Sequence, residues 1–156
     1  MNLIQEQGLL PLLAPSGNSD DDDRLGPSQQ RRLGSFSEKV LDRHRHTCAV
    51  CGTKYRPVLI AGHLSPYSTD RKNRRNLANG ICLCTFCHTA LDRKQIALKI
   101  NGEIIISPEI EDKVALQHFT RIDSSTRRNW IVGIDEEFLK ITEHFYYGSH
   151  GINAPG

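Results

Sequence analysis

This chain has no long apolar run. None of its 156 residues fall in a stretch near the ~18 consecutive apolar positions that a membrane span needs, so no membrane partner is expected. The opening residues MNLIQEQGLLPLLAP hold a short leucine-rich patch. They lack the basic leading region and small-residue cleavage site of an export signal, so secretion is not expected either. The expectation is a soluble protein of the cytoplasm, or of the nucleus in a eukaryote, under reducing conditions. Disulfides are then disfavoured. The five cysteines, an odd number containing two Cys-x-x-Cys pairs, read better as metal ligands.

The net charge is only +2, but it is unevenly distributed. Residues 39–99 carry twelve Lys and Arg against three acids, whereas residues 20–23 are all Asp. A surplus of nine positive charges in one segment is what a polyanion-binding surface needs. The loop Arg71-Lys72-x-Arg74-Arg75 is its densest part and the candidate for contacts to a nucleic-acid backbone, which give affinity without sequence information. No recognition helix or set of stacking aromatics stands out, so weak sequence preference is expected.

Taken in order, residues 1–34 are rich in Pro, Gly, Ser and Asp without a period and read as a flexible arm. Ser35 and Glu38 fit a capping box opening a helix FSEKVLDRHRH. Phe36, Val40 and Leu41 lie on its inner side, and Lys39, Arg43, His44 and Arg45 are a group able to reach phosphates. PVLIAGHL reads as a buried strand ending in a turn at Ser65, Pro66 and Tyr67. Residues 68–78 form a basic loop, Gly80 to Leu83 a return strand, and a helix begins near Thr85. QIALKI and EIIIS around Asn101-Gly102 predict a hairpin with a type I′ turn. A short helix is expected within EIEDKVALQHF. Asp135 should cap a last helix whose stripe of Phe138, Leu139, Ile141, Thr142, Phe145 and Tyr146 covers its own domain or forms a dimer face. The tail GSHGINAPG is expected to fray.

Cys48-x-x-Cys51 and Cys84-x-x-Cys87 form a four-thiolate set suited to one structural zinc ion, closed to water. The 32 residues between the pairs exceed a zinc-ribbon interval, and His63 and Asn79 lie inside that insert. Cys82 is left over, as a buried small residue or a swapped ligand. His63 can accept a proton at neutral pH and is a candidate general base. His88 and Asp92, four residues apart on one helix face, can grip a second divalent ion, Mg2+ or another.

His63, Asn79 and His88, spaced by sixteen and nine positions, resemble the His-Asn-His (HNH) endonucleases. The likeness extends to Ala61-Gly62-His63-Leu64-x-Pro66, Asn79-Gly80-Ile81-x-Leu83-Cys84 and Cys87-His88-x-x-x-Asp92. It implies an α+β protein with a ββα-metal core over residues 35–100, stapled by the four-cysteine zinc site. A hairpin and helical extension over residues 101–156 would follow. It implies DNA cleavage with His63, Asn79 and His88 catalytic, Asn79 fixing the loop or completing the metal site. Many members of the family carry Asp or His where this chain has Gly62. Two other readings use the same residues: a non-catalytic zinc module that binds nucleic acid, and a nuclease acting on RNA. A homodimer or a separate targeting partner stays open.

Overall fold

The computed structural model describes residues 27–153. Helix α1 spans Pro27–Arg43. The helix therefore does not start at Ser35: proline, whose fixed φ suits the first helical position, stands at its first residue, and Ser35 lies in its interior. Of the expected arm, residues 27–34 are helical and residues 1–26 lie outside the described residues.

Strands β1 (Leu59–His63) and β2 (Gly80–Cys84) form an antiparallel pair running from Leu59 opposite Cys84 to His63 opposite Gly80. β2 is buried at all five positions, because α1 and helix α2 (Thr85–Asp92) both pack against this ladder. Phe36 and Val40 of α1 bury their side chains there. A Cβ at Gly80 would come within 2.9 Å of the Phe36 ring and closer still to Val40, so glycine at the head of β2 permits the helix to approach.

A second sheet pairs β3 (Ile96–Leu98) with β4 (Ile104–Ile106). Its turn is not type I′, which needs positive φ at two successive residues. Only Gly102 has it, at +86°. Lys99 pairs with Glu103 and accepts from the Gly102 N–H, leaving the three-residue loop Ile100, Asn101 and Gly102. A Cβ at Gly102 would overlap the Ser124 carbonyl, so the loop tip lies close against a later helix. The helices after the hairpin are α3 (Lys113–Thr120) and α4 (Ser124–Trp130), which carries Ser124; Asp112 and Asp123 cap them. The first lies within the stretch expected to be helical; the second was not expected, although Asp123 before Ser-Ser-Thr is a helix-start signal. Helix α5 (Glu136–Ser149), capped by Asp135, lays Phe138, Leu139, Thr142 and Tyr146 against β3 and the core. His150 ties the end of α5 to Ser107 through Nε2 at 3.0 Å, and residues 154–156 lie outside the described residues.

Two arginines hold these layers together. Arg127, 3% exposed, donates to the carbonyls of Val50 (3.1 Å), Gly102 (2.5 Å), Phe119 (3.1 Å) and Ile122 (2.6 Å). Arg43 donates to the carbonyls of Leu77, Gly80 and Gly133, and His44 is buried with its pKa lowered to about 4, chiefly by burial. His44 is therefore interior and Arg43 half-buried and engaged with backbone, and of the expected phosphate-facing group only Lys39 and Arg45 are exposed. Arg127→Met keeps the volume but strands four carbonyls. It should lower stability by about 2–4 kcal/mol, read as a fall in the urea midpoint at unchanged slope, and Arg127→Lys, lacking the planar fork, should recover only part of it.

Candidate active site

Four sulfurs close one end of the β1–β2 ladder. Cys48 and Cys51 precede β1; Cys84 ends β2 and Cys87 lies in the first turn of α2. Their Sγ atoms all lie within 4.8 Å of one another, with Cys51 and Cys84 at 3.7 Å. Zinc with Zn–S near 2.3 Å separates its sulfurs by ~3.8 Å, so this set fits one tetrahedral ion. All four cysteines are buried and none is disulfide-bonded. The Cys48 thiol is driven far down by hydrogen bonds from Cys51, Cys84 and Cys87, while Cys84 and Cys87 are driven far up. Four thiols packed this closely repel one another when ionised, and a cation among them relieves that repulsion. Cys82 stays outside the cluster, opposite Ala61, its thiol pushed up to about 12 by burial.

His118, on α3, was not singled out in the sequence. Its Nε2 lies 3.5 Å from the Cys87 Sγ and 3.9 Å from that of Cys84, the position of a ring N–H supporting two ligands. No spacing signal marks it, because α3 is delivered by the tertiary fold.

The opposite end of the ladder carries His63. Its Nε2 is 2.8 Å from the Arg74 carbonyl, which can only accept, so Nε2 holds the proton and Nδ1 keeps its lone pair. The ring stacks on Phe36 at 4.7 Å and 7°, and meets the edge of Tyr67 at 5.3 Å. Burial lowers its pKa, with lesser help from the charges of Arg74 and His88, against an upward pull from the Arg74 carbonyl. Neutral imidazole is the form present at pH 7.

Asn79 is fully buried. Its Oδ1 accepts from the Ser65 N–H at 2.7 Å, and its Nδ2 donates to the carbonyls of Ser65 (3.3 Å) and Asn73 (3.2 Å). The amide is thus occupied with backbone at both ends of the basic loop. Within that loop Arg74 is spent internally, donating from Nε to the Tyr67 carbonyl at 2.6 Å and lying 4.1 Å over the Tyr67 ring. Arg71, Lys72 and Arg75 are exposed.

His88 and Asp92 stand one turn apart on α2, with Nδ1 and Oδ2 3.3 Å apart. His88 is half-buried and Asp92 exposed. A Cβ at Gly62 would come within 2.9 Å of the His88 ring, so an acid or histidine there would displace the imidazole. Among the described residues, His88 and Asp92 gather no third His, Cys, Asp or Glu ligand; the four cysteines are the one group of three or more. A nitrogen and a carboxylate oxygen beside an open cavity fit a divalent ion whose other positions go to water and substrate phosphate. That cavity, about 340 Å³, is lined by His63, His88 and Asp92 together with Tyr67, Lys94 and Phe145. The sequence reading had placed Phe145 on an apolar stripe and did not assign Lys94. No helix among the described residues is long and apolar enough to cross a membrane.

A family model described as HNH endonuclease matches residues 48–99, a range that holds both cysteine pairs, His63, Asn79, His88 and Asp92. No curated protein matches the chain. Purified protein should carry one zinc per chain by elemental analysis. Cys87→Ser should lose most of that zinc and lower the thermal midpoint, whereas Cys82→Ala should keep it.

Proposed function

We propose, from the match of residues 48–99 to the HNH endonucleases, that this protein is a metal-dependent endonuclease hydrolysing phosphodiester bonds in DNA. The observation that carries the reading is the meeting of His63, His88 and Asp92 at one cavity, with His63 oriented through Nε2. His63 Nδ1 takes a proton from the attacking water as its oxygen bonds to phosphorus. The phosphorus–oxygen bond to the leaving strand end then breaks, and that oxygen takes a proton from solvent. His88 and Asp92, one turn apart on α2, would hold a divalent ion, Mg2+ or another, which would supply Lewis-acid charge to the phosphate and the departing oxygen.

Asn79 is a positioning residue. It locks the turn at Ser65 to the loop at Asn73, which keeps the Arg74 carbonyl in reach of His63. Phe36 and Tyr67 fix the plane of the imidazole. Arg71, Lys72 and Arg75 bind the nucleic-acid backbone without reading bases. Cys48, Cys51, Cys84 and Cys87 hold zinc as a structural ion.

The competing reading is a zinc module that binds nucleic acid without cutting it. It draws on Gly62, which adds no ligand beside His88. Activity of the His63 base separates the two. His63→Ala should cut plasmid nicking by about 10²–10⁴-fold while zinc content and DNA binding persist. The working form is the neutral ring and its pKa lies below 6.5. The wild-type rate should therefore be level in this group's titration near pH 7 and fall about tenfold per pH unit only below its lowered pKa. A wild-type protein that binds plasmid and leaves it intact with every ion would favour the binding module.

A further inference from the structure

Lys94 ends α2 in a conformation that ordinarily belongs to glycine. Its φ is +58°, and among the described residues only Arg45 and His46 are other non-glycines with positive φ. The Lys94 N–H bonds the Leu91 carbonyl at 3.0 Å, and the next N–H, of Gln95, reaches Ala90 at 2.9 Å. This is the double bond pattern that closes a helix through one left-handed residue, where glycine or asparagine is preferred. A lysine here carries a conformational cost that glycine would remove.

The side chain lies on the wall of the cavity that holds His63, His88 and Asp92. Its Nζ stands 5.2 Å from the centre of the Phe145 ring, contributed by α5. An aromatic face attracts the ammonium and restricts its long stem. Lys94 therefore combines an unfavourable backbone, a charge at the cavity and a ring that steadies it. The neighbouring His88 and Asp92 bring one carboxylate, and Gly62 adds no further ligand side chain. Negative charge building on a phosphate in the cavity has room for a second positive partner.

We propose that Lys94 contacts a non-bridging oxygen of the scissile phosphate and stabilises the charge that develops there, with Phe145 as its positioning residue. This rests on the phosphodiester-hydrolysis reading. A compact ammonium with three donors suits a tetrahedral or pentacoordinate phosphate that changes shape during the reaction.

The test uses zinc-loaded full chain with Lys94→Gly and Lys94→Arg. Lys94→Gly should nick supercoiled plasmid about 10- to 100-fold more slowly, while its thermal midpoint equals or exceeds that of wild type. Lys94→Arg should keep the rate within roughly tenfold, since it restores charge but not the compact head. In chelator, binding to a short duplex should lose about 0.9 from its salt slope in Lys94→Gly, the loss of one phosphate contact. Nicking by Lys94→Gly within twofold of wild type, or an unchanged salt slope, would overturn the proposal. If wild type leaves plasmid intact with every ion tried, the hydrolase reading fails by itself, and the salt slope still decides whether Lys94 meets a phosphate.

Discussion

The convergence of Cys48, Cys51, Cys84 and Cys87 is the constraint on which the rest of the structure depends. A two-stranded ladder cannot hold itself together in water, and β1 and β2 are joined by a polar, basic loop with little to bury. The cysteine pairs flank the ladder at its Leu59–Cys84 end and shorten a long chain closure to a point. α2 then starts from a fixed origin, because Cys84 caps it and Cys87 anchors its first turn. His88 and Asp92 inherit their direction from that anchor. Phe119, its ring against that of His118, and Arg127 bring the C-terminal helices up to the same centre, and the four cysteines share one buried cluster with Ile96 and Leu98 of β3.

The far end of the ladder is built differently. There no sulfur clamp acts, and one buried amide does the organising. Asn79 satisfies three backbone groups across the loop, and the arginine that follows Asn73 turns its carbonyl toward His63. The helix that precedes the matched family segment supplies the flat face on which the imidazole lies, through Phe36. The helix that follows supplies Phe145. Residues 48–99 alone would lack the ring that backs His63 and the Thr142 and Phe145 side of the cavity.

Much of this was legible in the sequence. The cysteine spacing foretold one cluster, and the apolar runs around His63 and Ile81 foretold the paired strands within two residues. Asp135 named the start of the last helix. What escaped had physical causes. α1 starts at Pro27, a residue suited to the first helical position, so the plausible capping box at Ser35 falls inside the helix. The Asn101-Gly102 turn departs from its local preference, with positive φ at Gly102 alone and α4 close against that glycine. Arg43 and Arg74 read as phosphate-facing charge and Arg127 carried no assignment, and only the folded chain reveals the backbone carbonyls to which each donates. His118 and Lys94 carry no spacing signal at all, since both reach their sites through tertiary packing and a left-handed backbone.

We propose that this chain holds two ions with separate duties, one structural in the cysteine cluster and one at His88 and Asp92 that makes cleavage possible. The most direct measurement is nicking of supercoiled plasmid by fully zinc-loaded protein as magnesium or manganese is titrated, with zinc content followed in the same samples. The account predicts no cleavage without added ion, a saturable rise as it is added, and an unchanged single zinc throughout. Cleavage that proceeds at full rate on zinc-loaded protein in the absence of any added ion, or a folded protein that binds DNA and never cuts it, would contradict the account.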